Sequence, residues 1–158
     1  MVIQTPKAMA NTYTQIYLHV VFSTKHRIPN LELPWRKEVH KYIAGIITEK
    51  GHKSIIVNGV EDHVHLFMGL KPFVTISTLI GEIKSNSSNF INKSNWVQNK
   101  FAWQEGYGAF SYAQSQIQEV YNYILQQEEH HNKFSFEAEY KNLLEKFEID
   151  VNPEYVFD

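Results

Sequence analysis

The chain has 158 residues, enough for one domain with a hydrophobic core of its own. It lacks cysteine, which excludes disulfides, cysteine zinc sites and thiol nucleophiles, so a metal would have to be held by His, carboxylate or amide groups. The formal net charge of −2 is unevenly spread: residues 1–127 carry 12 Lys and Arg against 8 Asp and Glu, while 128–158 carry 3 against 9.

A mildly basic body permits phosphate binding without requiring it. With no signal-peptide core and no apolar run of membrane length in the sequence, a cytoplasmic protein without a membrane partner is expected. Residues 1–11 read as a flexible arm, and 13–23, YTQIYLHVVFS, predict a strand buried in its second half. Pro34 suits a first helical turn, and Trp35, Val39, Ile43, Ile46 and Ile47 recur at helical spacing up to a stop at Gly51. SIIVNGV and HVHLFMGL, separated by Glu61 and Asp62, predict an antiparallel hairpin. Thr75 can cap a second helix whose apolar positions, Ile76, Leu79, Ile80, Ile83, Phe90 and Ile91, carry it to about Lys93.

The aromatic, glycine-bearing stretch FAWQEGYGAFSYA predicts a strand or bulged hairpin. A third helix is expected from Ser115, which forms a capping-box pattern with Gln118, to His131, and 136–150 reads as helical within an acidic tail, 132–158. The order β-α-β-β-α-β predicts an α+β fold over 12–131, a ferredoxin-like split βαβ sandwich. Its antiparallel sheet would carry helices on one face, with an additional C-terminal helix bearing Tyr123.

The chemistry starts from His63-Val64-His65, because residues two apart on a strand face the same way. Two neutral imidazoles on a rigid support can meet one metal ion, although this spacing alone equally fits two exposed strand histidines. In the third helix Ile117, Val120, Tyr121, Ile124 and Leu125 form one apolar stripe, which assigns Tyr121 to the core. Tyr123 lies roughly 130° from the centre of that stripe and Gln127 about 40° further round, so the two are expected to share an exposed edge. A phenol there can attack a phosphodiester if a cation favours the phenolate, and Gln127 can add an amide oxygen to the metal. Two imidazoles and one amide oxygen leave positions open, which suits Mg²⁺ or Mn²⁺ without excluding zinc. No organic cofactor is expected.

VEDHVHLFMGL, IKSNSSNFIN, FAWQEGYGAFS and YILQQEEHH together resemble the single-tyrosine HUH transposases of the insertion-sequence-200 kind, over about residues 11–131. The resemblance implies that His63, His65 and Gln127 are metal ligands and that Tyr123 forms a 5′-phosphotyrosine link. It also implies a ferredoxin-like fold, a homodimer whose tyrosine helix can serve the partner's site, and single-stranded DNA ends with hairpins as substrate. Candidate phosphate contacts are Lys25, His26 and Arg27 after the first strand and Lys84, Ser85 and Asn86 on the second helix. Trp96, Trp103, Tyr107 and Phe110 could stack bases or fill the core, and His130 shares the helical edge of Tyr123. A host-adapted protein for repeated palindromes and a non-catalytic DNA-binding module are the competing readings. The acidic tail could cover the basic body or steady a dimer.

Overall fold

Alternating side chains place two apolar faces on one sheet, and a layer of helices covers each. In the computed structural model, which describes residues 11–158, the strands are β1 (Tyr17–Ser23), β2 (Lys53–Gly59), β3 (His63–Gly69) and β4 (Gly108–Tyr112). They form a four-stranded antiparallel sheet in the order β2-β3-β1-β4, the arrangement expected of a split βαβ fold. Apart from Asn11, the expected N-terminal arm lies outside the described residues.

Leu18, Val20 and Phe22 of β1 and Val64, Leu66 and Met68 of β3 face the first helical layer. There they meet α1 (Trp35–Glu49) through Val39, Ile43 and Ile47, and α2 (Ile76–Lys93) through Leu79, Ile80 and Ile83. Gly51 ends α1 at φ 88°, a left-handed conformation that glycine adopts without Cβ strain. Thr75 caps α2 as anticipated, its hydroxyl accepting from the Thr78 N–H at 3.2 Å.

On the opposite face, Val21 and Phe110 pack with Phe136, Tyr140, Leu143 and Leu144 of a C-terminal helix, and Phe67 packs with Val120 and Ile124. This second cover explains why β1 and β3 are buried on both sides instead of alternating. The acidic tail is thus seated on the sheet: α5 (Phe136–Lys146) is capped by Ser135, and the Asp158 carbonyl accepts from the Gly106 N–H at 2.9 Å. Among the described residues no helix is long and apolar enough to cross a membrane.

The aromatic stretch takes the strand alternative, and two other local expectations change. The aromatic stretch contributes only β4, because Trp103 turns into the core and donates its indole N–H to Ser87 Oγ at 2.9 Å. Ser115 and Gln118 form no capping box: Gln116 Oε1 accepts from the Ala113 N–H at 3.0 Å, and Gln118 donates to Asn122. The third helix is broken at Gln126 (φ −94°, ψ 22°) into α3 (Ile117–Leu125) and α4 (Gln127–His131).

Candidate active site

His63 and His65 project from β3 toward the second helical layer, beside Ser23 and Val21 of β1 in register. Both rings are fully buried and lie edge to face, with centroids 5.1 Å apart. Their outer nitrogens are anchored: His63 Nδ1 pairs with Asp62 Oδ1 at 2.7 Å, and His65 Nδ1 shares a 2.7 Å hydrogen bond with His19 Nε2. These contacts direct both Nε2 atoms to one point between the sheet and the helices.

The break at Gln126 brings Gln127 to that point. Its amide oxygen lies 3.2 Å from His63 Nε2, and its amide N–H donates to Glu139 Oε2 at 3.1 Å. From α5 the Glu139 carboxylate enters the cluster, with Oε1 3.0 Å from His65 Nε2, 3.2 Å from His63 Nε2 and 3.1 Å from His131 Nε2. Tyr123 Oη donates to Glu139 Oε2. The tyrosine reaches the histidines of its own chain, its ring centroid 6.0 Å from that of His65.

The expected exposed edge is therefore not exposed. Gln127 is fully buried and Tyr123 half-buried, because α5 covers the flank of the helix that the apolar stripe leaves uncovered. Tyr121, assigned to the core, is half-buried, and Leu125 is exposed, while Val120 and Ile124 carry the contact with the sheet. A cavity of about 300 Å³ opens between α3 and α5, walled by Tyr112, Tyr123, His130, Phe134 and Lys146 and reaching Glu139. His130 lies edge-on to Tyr123 with ring centroids 5.2 Å apart, and its neighbour His131 joins the cluster instead.

Burial works against the charge of His63, but hydrogen bonds to Asp62 and Glu139 outweigh it and raise its pKa to about 9. For His65 and His19 burial dominates and the pKa falls. Burial, and then the adjacent Glu139, push the Tyr123 phenol well above its ordinary range. The Glu139 carboxyl is held far below the usual range: burial opposes its charge, but the imidazoles around it prevail. Without a further cation Tyr123 is thus held as the phenol. The donor set of buried imidazole nitrogens, amide oxygen and carboxylate fits a divalent metal.

The proposed phosphate contacts are scattered. Lys25 and His26 are exposed at the sheet end that holds His63, but Arg27 there pairs with Glu137 at 2.8 Å and lies over the Phe157 ring. Lys84 turns inward, donating to the carbonyls of Gln104, Glu105 and Gly106 at 2.8, 3.1 and 2.6 Å, and burial lowers its pKa to about 8. Ser85 and Asn86 are exposed on α2, which belongs to the layer opposite the histidines. Of the aromatic candidates Trp103 and Phe110 are core, Trp96 stacks on Trp35, and Tyr107 is half-buried.

Sequence reasoning missed Asp62, His19, His131 and Glu139. Asp62 abuts the histidine pair and His131 ends the tyrosine-bearing segment, so local signals existed for both. Nothing local distinguishes Glu139 from the other acids of the tail.

The profile of the family described as "Transposase IS200 like" matches residues 12–127. Among solved structures, the chain is similar to a candidate transposase from Deinococcus radiodurans R1 at 18% identity and TM-score 0.60, covering 74% of this chain and 94% of that one. A second similar structure is a REP-associated tyrosine transposase bound to a REP hairpin, at 13% identity and TM-score 0.58, covering 77% of this chain and 72% of that one. No curated protein sequence matches.

Proposed function

The chain belongs to the IS200-like transposase family of DNA-cleaving enzymes, and from that premise we propose that it cuts and rejoins single-stranded DNA beside a hairpin, with Tyr123 as nucleophile. The observation that carries this reading is the meeting of Tyr123, Gln127, His63 and His65 around one buried point of a single chain. In this reading His63, His65 and Gln127 hold Mg²⁺ or Mn²⁺. When bound, the ion supplies Lewis-acid stabilisation of the phosphate and favours ionised phenol.

Tyr123 Oη bonds to phosphorus as the bond to the 3′ oxygen breaks; the phenolic proton is lost and the departing oxygen takes up a proton. The resulting 5′-phosphotyrosine retains the energy of the cut bond, so a 3′-hydroxyl can attack it and restore Tyr123 without ATP. Asp62 and His19 keep the ring nitrogens of His63 and His65 aimed into the site. Lys25 remains exposed near His63 and can meet the DNA backbone, as can Arg27 if it leaves Glu137. Of the α2 group, Ser85 and Asn86 offer their hydroxyl and amide to DNA on the far layer, with Lys84 holding the loop beside them.

The homodimer implied by the resemblance belongs to the proposal, although the site needs no partner: Tyr123 already meets His65 of its own chain. A host-adapted protein for repeated palindromes is the second reading, favoured by the similarity to a structure holding a REP hairpin. The test incubates the protein and its Tyr123→Phe variant with labelled single-stranded hairpin DNA from its own genomic flanks, with Mn²⁺, Mg²⁺ or EDTA. A denaturant-resistant adduct that requires metal and Tyr123 is expected. Tight binding with no adduct on any flank would favour recognition over transposition, and neither binding nor adduct would sink both.

A further inference from the structure

We propose that His131 and Glu139, both outside the matched family region, are ligands of the same metal, making a set that selects a transition ion over Mg²⁺. The inference rests on the reading of His63 and His65 as the metal pair. One ligand atom from each of His63, His65, His131 and Glu139 lies within 4.8 Å of all the others. The imidazole nitrogens stand 3.0, 3.2 and 3.1 Å from Glu139 Oε1. Donors that share one ion through bonds of about 2.0–2.2 Å lie roughly 3–3.5 Å apart, a spacing that all three imidazole–carboxylate distances already meet.

The hydrogen-bond pattern points the same way. Asp62 holds the Nδ1 side of the His63 ring, which turns Nε2 toward the Glu139 carboxylate and the Gln127 amide oxygen. Glu139 is 4% exposed, and among the described ion pairs its partners are all imidazoles, with no Lys or Arg to offset its charge. Gln127 holds the second carboxylate oxygen through its amide N–H while its carbonyl oxygen faces the same point. Three imidazoles and a carboxylate suit Mn²⁺, Co²⁺ or Zn²⁺, whereas Mg²⁺ takes oxygen ligands and water. The C-terminal helix thereby completes the metal centre.

The test is calorimetric titration of the metal-stripped full chain with Zn²⁺, Mn²⁺ and Mg²⁺, repeated on Glu139→Gln, His131→Ala and His63→Ala, with circular dichroism to establish that each variant folds. The inference expects Zn²⁺ and Mn²⁺ to bind more tightly than Mg²⁺, and each of the Glu139 and His131 changes to weaken Zn²⁺ by about 10-fold or more. The visible spectrum of the Co²⁺-loaded chain should shift in both variants, a response that a purely structural role would not give. Unchanged or tighter binding in Glu139→Gln would overturn the inference, since the carboxylate would then occupy the place the ion takes. If His63→Ala alone loses the metal, the inference fails and the underlying reading stands. Absence of binding by the unaltered chain would refute both.

Discussion

His40 is as well buried as the histidines of the site but lacks their partners. It is 8% exposed, its Nε2 has no hydrogen-bond partner among the described residues, and burial, followed by nearby Arg36 and Lys37, lowers its pKa to about 3. The unfolded chain therefore binds this proton more readily than the folded one below pH 6.5, and stability falls as pH drops from there toward 3. By pH 4.5 the loss from this group is roughly 3 kcal/mol. His40→Leu should flatten that acid limb in urea denaturation across pH 7 to 4.5, leaving a residual slope from buried His19 and His65; an unaltered limb would show that His40 is not the group responsible. Asp62 is the opposite case, a polar group whose partner gives it a task. Asp62→Ala frees the His63 ring and should weaken metal binding by about 10- to 100-fold in calorimetry. At this scale spacing along one strand paired His63 with His65, and spacing along one expected helix paired Tyr123 with Gln127; the structure brings all four together even though the helix breaks between the second pair. Glu139 could not be named from the sequence, because its neighbours are set by how α5 docks on the sheet, and an acid in a run of acids has no distinguishing period.

At the scale of the element, α5 decides whether the second face of the sheet is dry. Phe136 is 3% exposed and lies 4.7 Å, centroid to centroid, from the His63 ring, in the same turn of helix that brings in Glu139. Phe136→Ala should cost about 3–5 kcal/mol in urea denaturation, the range for emptying a buried aromatic site, with a fall in metal affinity as α5 loosens. A loss below about 1 kcal/mol would mean that α5 is only loosely docked. The β2–β3 connection is tighter still. A Cβ on Gly59 would strike the His63 carbonyl oxygen, so Gly59→Ala must move the strand that bears both histidines. Both strands of this hairpin, α1 and α2 were legible from period, stop residues and the Thr75 cap. The break at Gln126 was not: no Gly or Pro marks it, and the residues on either side are ordinary helix formers.

Taken whole, the molecule holds Tyr123 beside His63 and His65 of the same chain, which bears on how two copies would work together. Asn58 ties the end of α3 to β2, its amide N–H donating to the Ile124 carbonyl at 2.9 Å, while Val120 and Ile124 pack on Phe67. Tyr123 is also held through Glu139 by the tail. Handing the tyrosine helix to a partner would break all these contacts and expose the second face, so exchange is disfavoured unless the partner replaces each one. If the site works within one chain, a mixture of Tyr123→Phe and His63→Ala subunits should stay as inactive in the hairpin-adduct assay as either variant alone. Recovery of adduct on mixing would require a tyrosine from one subunit beside the histidines of the other, and the arrangement described for the single chain would then be a resting one. The acidic tail sharpens this expectation. Two of its acids are engaged inside their own subunit, Glu139 among the imidazoles and Glu137 on Arg27 at 2.8 Å, so a partner that takes the helix must also displace the tail.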